Sequence, residues 1–290
     1  MPQIIHLSDL HFGAHEPRLV TAVEEQIDAA KPDLVVISGD FTQRARTGQF
    51  QDASAFLGRL RDAGHQVLGV PGNHDVPLYD VLRRFLSPLA RYRRYIDDRL
   101  CPFHALQGAA VLGINTARSL TFKGGSVSHQ QMACIRETFA RTDPATPRIL
   151  VTHHPLFALP TGDGRGKVID NQHDALDAIR AAGVDILLAG HNHRASTGDS
   201  ADFVTTSRGT LVIQAGTATS TRVRGEHQSF NRLQIDGERV EVTLVGWDQD
   251  RFVAQHPATF RREANRWVKL GDHGAEPVPS APVEPTASAE

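Results

Sequence analysis

Histidine, aspartate and asparagine recur in five short clusters: Asp9-Leu10-His11, Gly39-Asp40, Gly72-Asn73-His74-Asp75, His153-His154-Pro155 and Gly190-His191-Asn192-His193. Imidazole and carboxylate together suit borderline divalent ions such as Mn, Fe, Zn, Ni or Co. The two cysteines, Cys101 and Cys134, form no C-x-x-C pair, so a thiolate site or a disulfide framework has no basis. A carboxylate can bridge two ions, and two ions ~3.5–4 Å apart can hold a hydroxide between them while both polarise a phosphoryl group. These residue types specify a two-metal hydrolase. Gly39, Gly72 and Gly190 stand beside the ligands, where they let backbone approach the site and a β-carbon would collide.

The elements that must position these groups are legible from periodicity. Ile4 to Leu7 and Leu34 to Ile37 read as short buried strands, with Leu19, Val20, Val23 and Ile27 at helical spacing between them. A second stripe, Phe50, Ala53, Phe56, Leu57 and Leu60, precedes a strand from Gln66 to Val70 that stops at Pro71-Gly72. This βαβ pattern predicts parallel pairing. A helix is expected around Tyr79 to Tyr95, and further strands at Ala109 to Ile114, Arg148 to Val151 and Asp185 to Ala189, with helices at Gln130 to Thr138 and Asp174 to Ala182 between them. From Thr210 the chain turns to strands without helices: Leu211 to Gln214, Ser229 to Ile235 and Val240 to Val245, the last two joined at Asp236-Gly237. That end predicts antiparallel pairing. Each histidine or aspartate cluster then falls at a strand's carboxyl end, where α/β folds gather their loops.

Composition narrows the class. With 290 residues, 40% hydrophobic and 22% charged, the chain can bury a sizeable core. Thirty-one basic against 33 acidic side chains give a formal charge of -2, so no general nucleic-acid binding is expected. The amino terminus lacks a basic region followed by an apolar run, and no apolar segment is long enough to span a membrane. A cytoplasmic protein is expected, and homo-oligomerisation stays open. Residues 271–290 hold four prolines and no aromatic side chain, which predicts a disordered Pro/Ala-rich tail after a single folded domain over 1–270.

In their order along residues 6 to about 220, the five clusters resemble the signature blocks of the calcineurin-like metallophosphoesterase superfamily. The resemblance implies an α/β fold in which two mixed β-sheets pack as a sandwich flanked by helices. It also implies two divalent or Fe-containing transition-metal ions, Mn and Fe foremost, with Zn, Co or Ni compatible. Asp9, His11 and His193 would hold one ion, Asn73, His153 and His191 the other, and Asp40 would bridge them. His74 would stabilise charge or protonate the leaving oxygen, with Asp75 orienting its imidazole. His154 would be a packing residue or a substrate contact at the pocket edge. Within the superfamily, Leu7-Ser8-Asp9-Leu10-His11-Phe12-Gly13, Pro71-Gly72-Asn73-His74-Asp75 and Thr152-His153-His154-Pro155 are most similar to bacterial class III cyclic nucleotide phosphodiesterases. Hydrolysis of 3′,5′-cyclic nucleotides such as cAMP, or of other small phosphodiesters, is the implied activity. The alternatives are a nucleotide-sugar pyrophosphatase of lipid A synthesis, whose members usually carry Arg where His74 stands, and a non-catalytic interaction scaffold, whose members typically lose ligands that this chain retains. The metal blocks touch only the phosphoryl centre, so the loops Thr116 to His129 and Pro155 to His173 are the candidates for setting specificity.

Overall fold

The computed structural model describes residues 1–120, 124–156, 169–191, 204–207, 209–221, 227–264 and 266–270. The first half runs β1 (Gln3–Leu7), α1 (Pro17–Ala30), β2 (Leu34–Ile37), α2 (Thr47–Asp62), β3 (Val67–Gly69), α3 (Val81–Leu86), α4 (Ala90–Tyr95), β4 (Phe103–Leu106), β5 (Ala109–Gly113) and α5 (His129–Ala140). The second runs β6 (Arg148–Val151), α6 (Gln172–Ala181), β7 (Ile186–Ala189), β8 (Val204–Ser207), β9 (Thr210–Gln214), β10 (Ser229–Asp236), β11 (Arg239–Asp248), β12 (Arg251–Ala254), β13 (Ala258–Glu263) and β14 (Arg266–Lys269).

Two mixed sheets form a sandwich. One has the order β14-β13-β11-β10-β1-β2-β3, with β12 on β11, and the other β4-β5-β6-β7-β9-β8. Alternation along each strand builds three apolar layers. Ile4, Leu34 and Val36 face Ile149, Val151, Ile186 and Leu188 between the sheets. Ile5, Leu7, Val35 and Ile37 face outward onto Leu19, Val23 and Ile27 of α1 and Phe50 and Phe56 of α2. Leu112, Leu150 and Leu187 pack under Ile135 and Phe139 of α5 and Leu176 and Ile179 of α6. Strands covered on both faces must be apolar at every position, which is why their runs are continuous. Parallel pairing of β1 with β2, β2 with β3, β5 with β6 and β6 with β7 sends their carboxyl ends to one edge of the sandwich.

Two expectations change in detail. The helix expected around Tyr79 to Tyr95 is two helices, α3 and α4. Ser87 leaves helical geometry at φ -153°, ψ 61°, as residues preceding proline tend to. Leu211 to Gln214 lies in β9, which pairs in parallel with β7 and antiparallel with β8, so the all-antiparallel section begins only at β10. The two mixed sheets are those the family resemblance implies, although continuous apolar runs alone do not encode them. Residues 271–290 lie outside the described residues.

Candidate metal centre

Five loops meet at the shared edge, and backbone hydrogen bonds tie neighbouring loops within each sheet. The Asp9 N–H donates to the Gly39 carbonyl (3.1 Å), His11 to that of Asp40 (2.9 Å), and Gly190 to that of His153 (3.1 Å). Asp9, His11, Asp40 and His191 all adopt positive φ, between 49° and 76°, and they are half of the eight non-glycine residues that do so among those described. A side chain is held in the left-handed region only where its surroundings over-determine it, and such strain gathers at functional sites. Close approach is as tight as the sequence suggests. At Gly39, φ +95°, a β-carbon would collide with the His153 ring, and at Gly72 with the Asp40 carboxylate.

Three ligand atoms converge at the second ion's expected position. Asn73 Oδ1 lies 3.1 Å from His153 Nε2 and 3.1 Å from His191 Nδ1, and the two nitrogens are 3.2 Å apart. Nδ1–H of His153 donates to the Ser38 carbonyl (2.7 Å), so Nε2 carries the lone pair. Ions with ligand bonds of ~2.1–2.2 Å in octahedral geometry have neighbouring ligands about 3.0–3.1 Å apart. The triangle has the dimensions of an octahedral face and fits a borderline divalent cation.

Asp40 sits between this triangle and the other pair of ligands. Its Oδ2, which has no hydrogen-bond partner among the described residues, is 3.5 Å from His153 Nε2 and 3.7 Å from His11 Nε2. Its Oδ1 accepts the His74 N–H at 2.8 Å. His11 Nε2 is in turn 3.6 Å from Asp9 Oδ1, while Asp9 Oδ2 accepts from the Ser8 hydroxyl (2.6 Å) and the His191 N–H (3.1 Å). Asp9, His11, Asp40 and His153 are fully buried. Burial works against the Asp40 charge, but the combined pull of His153, His74 and His11 holds its pKa below the ordinary carboxylate value. Two buried carboxylates crowded by imidazole nitrogens demand a compensating cation. The structure therefore brings six of the seven expected ligands together, and His193 lies outside the described residues.

His74 follows Asn73 in a single 3₁₀ turn, Asn73–Asp75. Its ring stands edge-on to that of His11, with centroids 4.8 Å apart, and its Nδ1–H donates to the Gln43 carbonyl at 2.8 Å. That carbonyl takes the orienting role expected of Asp75. The Asp75 carboxylate turns away from the imidazole and accepts from the N–H groups of Gly72 (2.9 Å), Phe41 (3.2 Å) and Thr42 (2.9 Å) and from the Thr42 hydroxyl (3.0 Å). It clamps the Asp40 loop to the His74 turn, and thereby holds the Gln43 carbonyl in place. Burial, with the neighbouring Asp40 charge, pushes its pKa up to about 6.

His154 is buried, its Nδ1 paired with the Thr116 hydroxyl at 2.8 Å. Its Nε2 has no partner among the described residues, and one of its ring nitrogens lies within 4.8 Å of those of His153 and His191. Burial, reinforced by His153 and His191, lowers its pKa well below the histidine value, which keeps the ring neutral.

A profile of the calcineurin-like phosphoesterase family matches residues 2–195. The chain belongs to this family. It is a phosphoesterase. It is 32% identical over 210 residues to the glycerophosphodiester phosphodiesterase GpdQ of Enterobacter lignolyticus, a match covering 66% of this chain and 70% of that protein. It is 24% identical over 208 residues to a probable cyclic nucleotide phosphodiesterase of Rhodococcus erythropolis, covering 67% and 65% respectively. The chain thus spans about two thirds of each relative's length. Among solved structures, a dimetal phosphatase from Danio rerio shares the fold at TM-score 0.59 and 14% identity, covering 88% of this chain and 99% of that one. A purple acid phosphatase from yellow lupin does so at TM-score 0.61 and 14% identity, covering 99% and 57%.

The residues that sequence reasoning missed act through the backbone or in support. The Gln43 and Ser38 carbonyls fix the tautomers of His74 and His153. Thr217 and Thr219 donate hydroxyls to the carbonyls of Asp9 (2.7 Å) and Leu10 (2.8 Å), bracing the first block from far along the chain. A cleft of about 330 Å³ is lined by Gly13, Ala14, Gln43, Arg44, Arg46 and Gln49, and Gln43 links it to His74 through its carbonyl. Two arginines of α3 and α4 tie loops together. Arg84 is buried and donates to the carbonyls of Ser119 and Pro77, Arg91 donates to that of Ala45, and Arg93 and Arg94 are exposed. Of the specificity loops, residues 121–123 and 157–168 lie outside the described residues.

Proposed function

We propose that the chain is a dinuclear-metal-dependent phosphodiesterase acting on small phosphodiesters, 3′,5′-cyclic nucleotides such as cAMP among them. The observation that carries the reading is the triangle of Asn73, His153 and His191 atoms at octahedral spacing, with the Asp40 oxygen between it and His11. Asn73, His153 and His191 would hold one ion, Asp9, His11 and His193 the other, and Asp40 both. Bound Mn, Fe or a similar pair supplies Lewis acidity to the phosphoryl group. His74 supplies the proton. With Nδ1–H donated to the Gln43 carbonyl, its imidazolium presents Nε2–H to the departing oxygen, and that proton passes to the alkoxide as the P–O bond breaks. His154, neutral and with Nε2 unengaged among the described residues, stands beside the His153 and His191 rings, where it would hydrogen-bond a substrate oxygen that reaches the centre.

The two curated relatives are named as enzymes of phosphodiesters, which favours diesters over monoesters here. The formal charge of -2 offers no field for binding nucleic acid at large. No helix among the described residues is long and apolar enough to cross a membrane. The deciding experiment measures metal content together with kcat/KM for cyclic AMP, bis-p-nitrophenyl phosphate, p-nitrophenyl phosphate and a nucleotide-sugar under one metal condition. Two ions per chain and a diester preference are expected. A stoichiometry fixed at one ion removes the dinuclear reading, a monoester preference removes the reaction class, and diester activity without cyclic AMP turnover removes only the cyclic nucleotide.

A further inference from the structure

Helix α3 is inside out. Its one buried residue is Arg84, whose guanidinium donates to the Pro77 carbonyl (2.8 Å) and the Ser119 carbonyl (2.6 Å), while its apolar side chains face outward. Leu78, Tyr79, Val81, Leu82, Phe85 and Leu86 are all exposed, Leu82 by 73% and Leu86 by 75%. Positions 81, 82, 85 and 86 fall on one side of a helix, opposite Arg84.

At roughly 170 Å² for a fully exposed residue of this size, these six exposures add to about 640 Å², within the ~600–1,000 Å² per partner of a standard interface. The largest apolar patch on an ordinary monomer is ~300–600 Å². We propose that this face is the twofold interface of a homodimer, with α3 packed against α3 of a second copy. A twofold contact sets the same surface against itself, so its rim must carry both signs of charge. It does: Asp80 and Arg83 lie side by side on the flank, 3.2 Å apart within one chain, and an antiparallel crossing lets Arg83 of each copy face Asp80 of the other. An anionic lipid surface fits less well, because Asp80 lies within the patch and the chain carries a formal charge of -2.

The interface would adjoin the catalytic centre. The patch starts three residues after Asp75, and the Arg44 guanidinium, which lines the cleft, sits 5.5 Å from the centre of the Tyr79 ring. Sedimentation equilibrium on the full chain is the test, with Leu82→Glu and Leu86→Lys alongside and circular dichroism as a check on folding. Both side chains are exposed, so neither substitution should disturb the fold. A dimer is expected for the native chain, and each variant should raise the dissociation constant by about 100-fold or more, because a charge is placed at the centre of the contact. A native chain that stays monomeric at ~100 µM overturns the proposal, as does a dimer that both folded variants leave intact. Flotation of a monomeric native chain with phosphatidylglycerol vesicles, abolished by the same substitutions, would assign the patch to a lipid surface and equally overturn it. Should one variant fail to fold, the other decides.

Discussion

Replacing Gly72 with alanine perturbs the centre without touching a ligand. The backbone at Gly72 has φ -102° and ψ -178°, extended geometry that alanine adopts freely, so any effect comes from the added methyl. That methyl would collide with Asp40 Oδ1 and lie 2.8 Å from the carboxylate carbon. Relief to ordinary contact requires a shift of about 1 Å between the two loops. Asp40 Oδ1 is the acceptor for the His74 N–H, and Oδ2 is the oxygen between His11 and His153, so the shift moves the proposed bridging group and the proposed proton donor together. Overpacking of this kind costs about 1–3 kcal/mol of stability. Disturbing a group that orients ligands weakens metal binding by about 10–100-fold, and a displacement of ~1 Å costs turnover about 100-fold. Gly58→Ala is the control: Gly58 lies within α2, a β-carbon there meets nothing within 4 Å, and alanine should stabilise the helix by up to about 1 kcal/mol. The assays are metal content after dialysis against micromolar Mn(II), turnover of bis-p-nitrophenyl phosphate, and thermal unfolding of both variants. A folded Gly72→Ala protein that keeps two ions and turns over within twofold of the native chain would refute the close coupling of this loop to Asp40.

His74→Ala should leave metal content intact and lower turnover by about 10²–10³-fold, more for an alkyl leaving group than for p-nitrophenolate. Equal losses on both would rule out proton donation. Burial, opposed by Asp9, lowers the His6 pKa to about 3, so the native state holds this histidine neutral while the unfolded chain protonates near 6.5. Its contribution is then complete above pH ~6.5 and is lost as pH falls toward 3, by about 2 kcal/mol at pH 5. Urea unfolding of metal-stripped protein at pH 7 and pH 5 should show that loss reduced in His6→Gln; an unchanged pH dependence would show that other groups carry it. Thr116→Val removes the partner of His154 Nδ1 and should cost about 1–3 kcal/mol in thermal unfolding, with Thr116→Ser near native.

Much of the centre was legible because its ligands are side chains of restricted type at strand ends. Asp9, His11, Asp40, Asn73, His153 and His191 meet as the five clusters imply. The orientation of His74 was not legible, since it depends on the Gln43 carbonyl, and a carbonyl leaves no mark in the sequence. The same reason hid the work of Asp75. Its proximity to His74 along the chain suggested a direct contact, whereas its oxygens are taken by three backbone amides and the Thr42 hydroxyl. The sandwich was legible through the family resemblance and not through the apolar pattern. Ile4 and Ile5 are equally apolar, yet one faces the partner sheet and the other the helices, so hydrophobicity alone does not distinguish one sheet covered by helices from two sheets face to face.

The placement of the ligands on two sheets explains how a strained centre can be maintained. Asp9, Asp40 and Asn73 follow β1, β2 and β3, while His153 and His191 follow β6 and β7. Neither sheet holds the complete ligand set proposed for the second ion: Asn73 comes from one, His153 and His191 from the other. The inter-sheet core fixes their separation, because close-packed side chains such as Val36, Val151 and Leu188 leave little room for sliding. Four ligand residues at positive φ would relax if their loops were independent, but each is bonded to a loop from a neighbouring strand: Asp9 to Gly39, His11 to Asp40, Asp40 to His74, and His191 to Asp9. The last of these bonds crosses from one sheet to the other, with Asp9 Oδ2 accepting the His191 N–H. The cost of holding both carboxylates buried beside imidazoles is therefore spread over the packing of the whole sandwich, and a bound cation returns part of it. Metal binding should accordingly raise the unfolding temperature of the entire domain as one transition, since no part of the ligand set can be released without separating the sheets.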